Sequence, residues 1–124
     1  PVRRDRVERP PPPGALMSSW FAALVVTLLI EVPLVVALYP GERARMGVVA
    51  VLANAATNLA LNLVLVPRGH LVLGETIALV VEAAVYARVG RDRDVPRAVM
   101  VSAAANLLSF SLGPALAHAL FARL

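Results

Sequence analysis

The chain has no cysteine, and all twelve of its basic residues are arginine. The first absence excludes a disulfide framework, thiol chemistry and cysteine metal sites. Charge is also scarce. Only 16% of the 124 residues are charged, against about 25% in an average soluble domain. Aromatic residues make up 5%, and none interleave with a basic stripe, so no nucleic-acid partner is expected. The sequence holds no Walker A loop, no G-x-G-x-x-G, no H-E-x-x-H and no G-x-S-x-G. Its polar connections are too short to carry an active site of their own. Neither an enzymatic activity nor a cofactor is expected.

Apolar residues fill the space these absences leave. They are 59% of the chain, and mean hydropathy is +0.74. A soluble protein of this size has too little interior to hide that much apolar surface. The class is an integral membrane protein, with the lipid bilayer as its first partner. The net charge of +4 adds little, because the arginines sit in the tail and loops, as membrane flanks do.

Residues 1–15 are an Arg/Pro-rich polar tail, with Arg3, Arg4, Arg6 and Arg9 alternating with Asp5 and Glu8. Pro10 to Pro13 are expected to form a short polyproline II spacer. Acids and prolines make this a poor signal-peptide head. Residues 16–124 form the membrane domain. Its four apolar runs, about 16–39, 46–66, 71–89 and 97–121, are each near the ~20 residues that cross a bilayer as a helix. The separators all contain Pro and Gly. The runs are continuous rather than alternating, which predicts helices and not a barrel. The expected fold is all-α: a polytopic membrane protein built as a four-transmembrane-helix bundle.

Orientation rests on a tie. Arg3, Arg4, Arg6, Arg9, Arg68 and Arg123 lie on one side; Arg43, Arg45, Arg88, Arg91, Arg93 and Arg97 lie on the other. An Arg-rich tail resists translocation, so both termini are expected to be cytoplasmic, in a bacterial inner membrane.

A short internal match runs through the domain. Ala53-Asn54-Ala55-Ala56-Thr57 and Ala105-Asn106-Leu107-Leu108-Ser109 both read A-N-x-x-[ST]. Glu31 lies 23 residues before Asn54, and Glu82 lies 24 before Asn106. The domain can therefore be read as two tandem helical-hairpin repeats pointing the same way. Chance similarity of common residues is the competing reading.

Three acids, Glu31, Glu75 and Glu82, fall inside the apolar runs. A charged carboxylate at mid-helix costs about 2.5–3.5 kcal/mol on insertion scales. Each must be neutral, paired, or facing a wet cavity. Glu31 and Glu82 are deep, while Glu75 lies nearer an interface. Helical spacing gives every run one polar stripe. The first carries Ser19, Thr27, Glu31 and Tyr39. The second carries Asn54, Thr57, Asn58 and Asn62. The third carries Glu75, Glu82 and Tyr86, and the fourth Ser102, Asn106, Ser109 and Gly113. Lipid cannot satisfy amides and carboxyls, so the stripes should turn inward or toward a partner.

Two readings of the stripes compete. In the bland one, the Asn, Ser and Thr groups only glue helices together. In the sharp one, Glu31, Glu82 and Glu75, with Asn54, Thr57, Asn58, Asn106 and Ser109, bind an ion, a proton or a polar solute. Oxygen ligands favour hard cations, but no particular metal is specified. His70 and His118 lie toward one membrane face, where a bis-His pair competes with two ordinary interfacial histidines. Ala105, Ser109, Gly113 and Ala117 step by four as a seam for close helix packing. Pro33 and Gly113-Pro114 are expected to bend their helices. Trp20 and Tyr39 read as interfacial aromatic belts.

Two functions follow as expectations. One is a small membrane transport or ion-handling protein, expected as a homo-oligomer, with Glu31 and Glu82 binding a proton or cation. The other is a non-catalytic accessory subunit of a larger membrane complex, its stripes turned toward other membrane subunits.

Overall fold

The computed structural model describes residues 13–65 and 69–121, with side chains from Trp20 onward. The expectations for the arginine tail, for Pro10 to Pro12 and for the Ser19 side chain lie outside the described residues. Four helices follow one another: α1 (Pro13–Leu38), α2 (Arg43–Val64), α3 (Leu71–Val89) and α4 (Val95–Phe121). All described regular structure is helical.

The helix boundaries follow local chemistry. α1 starts at Pro13, within the stretch read as spacer. Proline suits a first helical position, where its missing N–H would have no partner in any case. α1 then runs unbroken through Pro33, and α4 through Pro114. α2 begins at Arg43, earlier than the apolar run, because Met46 N–H donates to the Glu42 carbonyl in the first turn. α3 ends where Gly90 caps it, its N–H donating to the Tyr86 carbonyl at 2.8 Å.

Each helix packs on the helices next to it in the chain, and α1 also packs on α4. The result is a closed ring of four antiparallel neighbours. The α1–α2 and α3–α4 loops lie at one end. The start of α1, the α2–α3 loop and the end of α4 lie at the other. Small residues permit close approach. Ala50, Ala98 and Ala105 are completely buried. A Cβ placed on Gly74 would stand 3.0 Å from Leu61 Cδ2, so α3 meets α2 there through the end of the Leu61 side chain. The small-residue seam of α4 turns partly toward α1, where a Cβ placed on Gly113 would stand 3.8 Å from Val26 Cγ1.

Burial runs opposite to that of a water-soluble bundle. Glu31, Asn54, Thr57, Glu82, Ser102, Asn106 and Ser109 are buried. Phe21, Leu52, Leu63, Val72, Leu107 and Phe110 are exposed. α1 from Trp20, α2 and α4 are long and apolar enough to cross a membrane. α3 has 19 residues, about 28 Å at 1.5 Å per residue. It reaches far enough, and what sets it apart is three charged residues, Glu75, Glu82 and Arg88.

Candidate functional site: the buried polar centre

The two ends of the ring differ. At the α1–α2 and α3–α4 loop end the interior is dry. Val35, Tyr39, Met46, Ala50, Ala53, Tyr86, Ala98 and Val101 form one buried cluster. A clasp covers it. The Arg97 guanidinium lies 4.5 Å from the centre of the Tyr39 ring. It also donates to the Leu38 carbonyl at 2.5 Å and to Asp92 at 2.7 Å. Glu42 accepts from the Arg91 backbone N–H of the opposite loop at 3.0 Å. Tyr39 is therefore no interfacial belt residue, being only 2% exposed. Burial raises its hydroxyl above the usual tyrosine range, and Arg97 pulls in the opposite direction.

The middle of the ring holds the two deep acids, at matching depths. Glu31 lies seven residues before the end of α1, and Glu82 seven before the end of α3. Asn54 and Asn106 each lie eleven residues beyond the start of their helices, and Thr57 and Ser109 fourteen. Antiparallel neighbours of such equal register bring the groups to one level. Glu82 takes the Asn106 amide on Oε2 at 2.8 Å and meets the Thr57 hydroxyl with Oε1 at 2.9 Å. Glu31 meets the Ser109 hydroxyl with Oε1 at 2.5 Å and has Asn54 beside it. Each hairpin's hydroxyl thus reaches the acid of the other hairpin.

These hydroxyls are placed to follow a proton. Thr57 Oγ1 has a second acceptor, the Ala53 carbonyl at 3.0 Å, and Ser109 Oγ has the Asn106 carbonyl at 3.1 Å. A hydroxyl carries one proton and can also accept. Beside a carboxylate it donates to the acid. Beside a neutral carboxyl it accepts from the acid and donates to its own helix carbonyl. Both protonation states are hydrogen-bonded, and the switch needs only a hydroxyl rotation.

Toward the α2–α3 loop end the centre opens into a cavity of about 70 Å³. It draws on all four helices, with Thr27, Asn58, Glu75, Glu82, Asn106 and Ser109 supplying its polar lining. That volume holds water where polar partners line it. Glu75 is partly exposed and lines the same cavity as Glu82. Among the described residues no arginine or histidine forms an ion pair with Glu31, Glu75 or Glu82; the ion pairs are Arg45–Glu42 and Arg97–Asp92. Among the described residues three buried polar side-chain atoms lack a hydrogen-bond partner, Trp20 Nε1, Glu31 Oε2 and the Tyr86 hydroxyl.

Of the residues singled out by spacing, Glu82, Thr57, Asn106, Glu31 and Ser109 are joined directly by hydrogen bonds. Glu75 and Asn58 join through the cavity wall. Asn54 turns its amide to the Ala50 carbonyl at 3.1 Å while standing beside Glu31. Asn62 is not on the cavity and bonds the Asn58 carbonyl. Ser102 stitches α4 to α3 through the Leu79 carbonyl at 2.9 Å. His70 and His118 are exposed. No group of three or more His, Asp or Glu side chains among the described residues is arranged to hold a metal ion. Sequence spacing did not single out Thr27 as a site residue, or the Arg97–Tyr39 clasp. Thr27 was visible on the stripe of Glu31; the clasp pairs groups 58 positions apart with no periodic signal.

No known protein family, curated protein or solved structure matches this chain.

Proposed function

We propose that this chain is an integral membrane protein whose four helices all cross the bilayer, and that it handles a proton or a small hard cation at Glu82 and Glu31. The observation that carries this reading is the polar cavity at Glu82, lined from all four helices and supplied with acids but with no ion-paired base among the described residues. The inverted burial pattern supports insertion: carboxyls and amides inside, large apolar side chains outside. α3 crosses as the fourth span because its deep acid, Glu82, faces the ring interior, where lipid does not meet it.

The matched register of the two acids, and the exchange of hydroxyl contacts between hairpins, support two tandem hairpin repeats about an axis along the membrane normal. The chain then belongs among small transport or ion-handling proteins. The cavity opens on the side of both termini, and the resistance of an Arg-rich tail to translocation supports a cytoplasmic position for that side in a bacterial inner membrane. An accessory subunit would turn its polar stripes outward to other subunits. The inward direction of these stripes favours the first reading.

The test is flux. In proteoliposomes under a proton gradient, Glu82→Gln and Glu31→Gln should each abolish proton-coupled movement that the parent chain supports. Unchanged flux in both variants overturns the proposal.

A further inference from the structure

Next to the polar cavity lies a second space of different character. Between α3 and α4 an apolar groove of about 280 Å³ is lined by Val72, Thr76, Leu79, Ala103, Leu107 and Phe110, and it ends on Glu75 and Asn106. Glu75, Asn106 and Phe110 also line the polar cavity. The two spaces therefore meet at one carboxyl. The groove lies on the outer side of the ring, where Val72, Leu107 and Phe110 are exposed. No arginine or histidine lines either space.

We infer that the groove and the mouth of the cavity together form a binding site for an amphiphilic ammonium ion, its apolar body along α3 and α4 and its cationic head at Glu75. Charge complementarity selects this occupant. An acyl chain alone would leave Glu75 without a counter-charge. An anionic amphiphile would bring like charge to Glu75 and Glu82. A small hydrated cation would use the cavity and leave the groove empty. An ammonium head at Glu75 stands one step from Glu82, so its arrival favours the charged carboxylate and release of the Glu82 proton. The inference rests on the proposed function, because it names what that site would exchange for a proton.

The same head group has two sources, a lipid with a choline or ethanolamine head and a free alkylamine. The test uses purified protein in neutral maltoside micelles and dodecyltrimethylammonium below its own micelle concentration, with dodecanol as the uncharged control. Calorimetry should show saturable binding of the ammonium and not of the alcohol. Glu75→Gln should weaken it about ten- to a hundredfold, the scale of losing one charge-assisted contact. Ala103→Phe, which fills the groove and keeps every acid, should weaken it as well. Helicity by circular dichroism shows that both variants are folded, and Glu75→Asp should restore part of the affinity. Displacement by short-chain phosphatidylcholine would identify the lipid as the source, and its failure to displace would identify a free amine.

Equal binding of ammonium and alcohol, or ammonium binding insensitive to both substitutions, overturns the inference. Glu82-dependent proton flux in a protein that does not bind the ammonium leaves the proposed function standing and removes this one. Binding without Glu82-dependent flux does the reverse.

Discussion

The two ends of this bundle solve the same packing problem with opposite chemistry. At the closed end Met46, Ala50, Tyr86 and Ala98 are fully buried, and Arg97 locks Tyr39 and the Leu38 carbonyl beneath it. At the open end all four helices contribute to the wall of a polar cavity that Glu75 lines. The difference lies in the side chains that face inward. Alanine, valine and methionine fill the closed end, while Thr27, Asn58 and Glu75 line the cavity. Access to the deep acids is therefore one-sided.

The strongest way to break this comparison is to place the same charge at each end. Ala50→Asp puts an unpaired carboxylate in the dry cluster, and about 3 kcal/mol of stability should go with it. Ala78→Asp puts one beside the cavity, where water and Asn58 can meet it, and should cost clearly less. Thermal unfolding in detergent compares the two; an equal loss would mean that the ends do not differ.

A smaller effect should come from the middle of the ring. Thr57→Val deletes the hydroxyl that meets Glu82 at 2.9 Å and should destabilise by about 1 kcal/mol. Thr76→Val deletes an exposed bond to its own helix, the Val72 carbonyl at 2.9 Å, and should be close to neutral. The same unfolding assay separates them, and a Thr76 loss equal to that of Thr57 would deny the inter-helix bond any special weight.

Removing the clasp sharpens the description of the closed end. Arg97→Ala should cost about 0.5–1 kcal/mol, the scale of an exposed cation–π pair. It also removes the charge that lowers the Tyr39 hydroxyl, so Tyr39 should titrate at still higher pH. Tyrosinate absorbance in a Tyr86→Phe background reads this directly, and a downward shift would contradict the contact. Burial holds the folded-state value above the unfolded one, so the stability gained by burying the neutral hydroxyl is full below the ordinary tyrosine range. It is lost as pH rises through the folded value.

The smallest effect is expected at Gly74→Ala. The new Cβ meets only the end of the Leu61 side chain at 3.0 Å, which can turn aside, and alanine suits a helix better by about 1 kcal/mol. Net stability should change by less than about 1 kcal/mol, and a larger loss would show that Leu61 is fixed.

Much of the arrangement was legible in the sequence because helical periodicity is. The stripe of Glu75, Glu82 and Tyr86, and the A-N-x-x-[ST] positions, placed the polar groups on one face per helix before any packing was known. Periodicity cannot say how far each helix is rotated toward its neighbours. It therefore left open that Thr57 would meet Glu82 while Ser109 meets Glu31. Tyr39 shows the same limit. A tyrosine at a helix end reads as a membrane anchor, and only the return of the chain at Arg97 turns it into a buried residue. Local proline rules also misplaced the start of α1, since the last residue of the proline run serves equally well as a first helical position.

One measurement addresses the one-sided access most directly. The chain has no cysteine, so a single introduced thiol is the only one to react. Asn58→Cys and Ala78→Cys sit on the cavity wall; Ala50→Cys and Ala98→Cys sit in the closed cluster. A membrane-impermeant thiosulfonate should label the first pair, from the side of the α2–α3 loop alone, and leave the second pair unmodified. Labelling of Ala50→Cys or Ala98→Cys, or of the cavity pair from both sides, would contradict a bundle closed at one end.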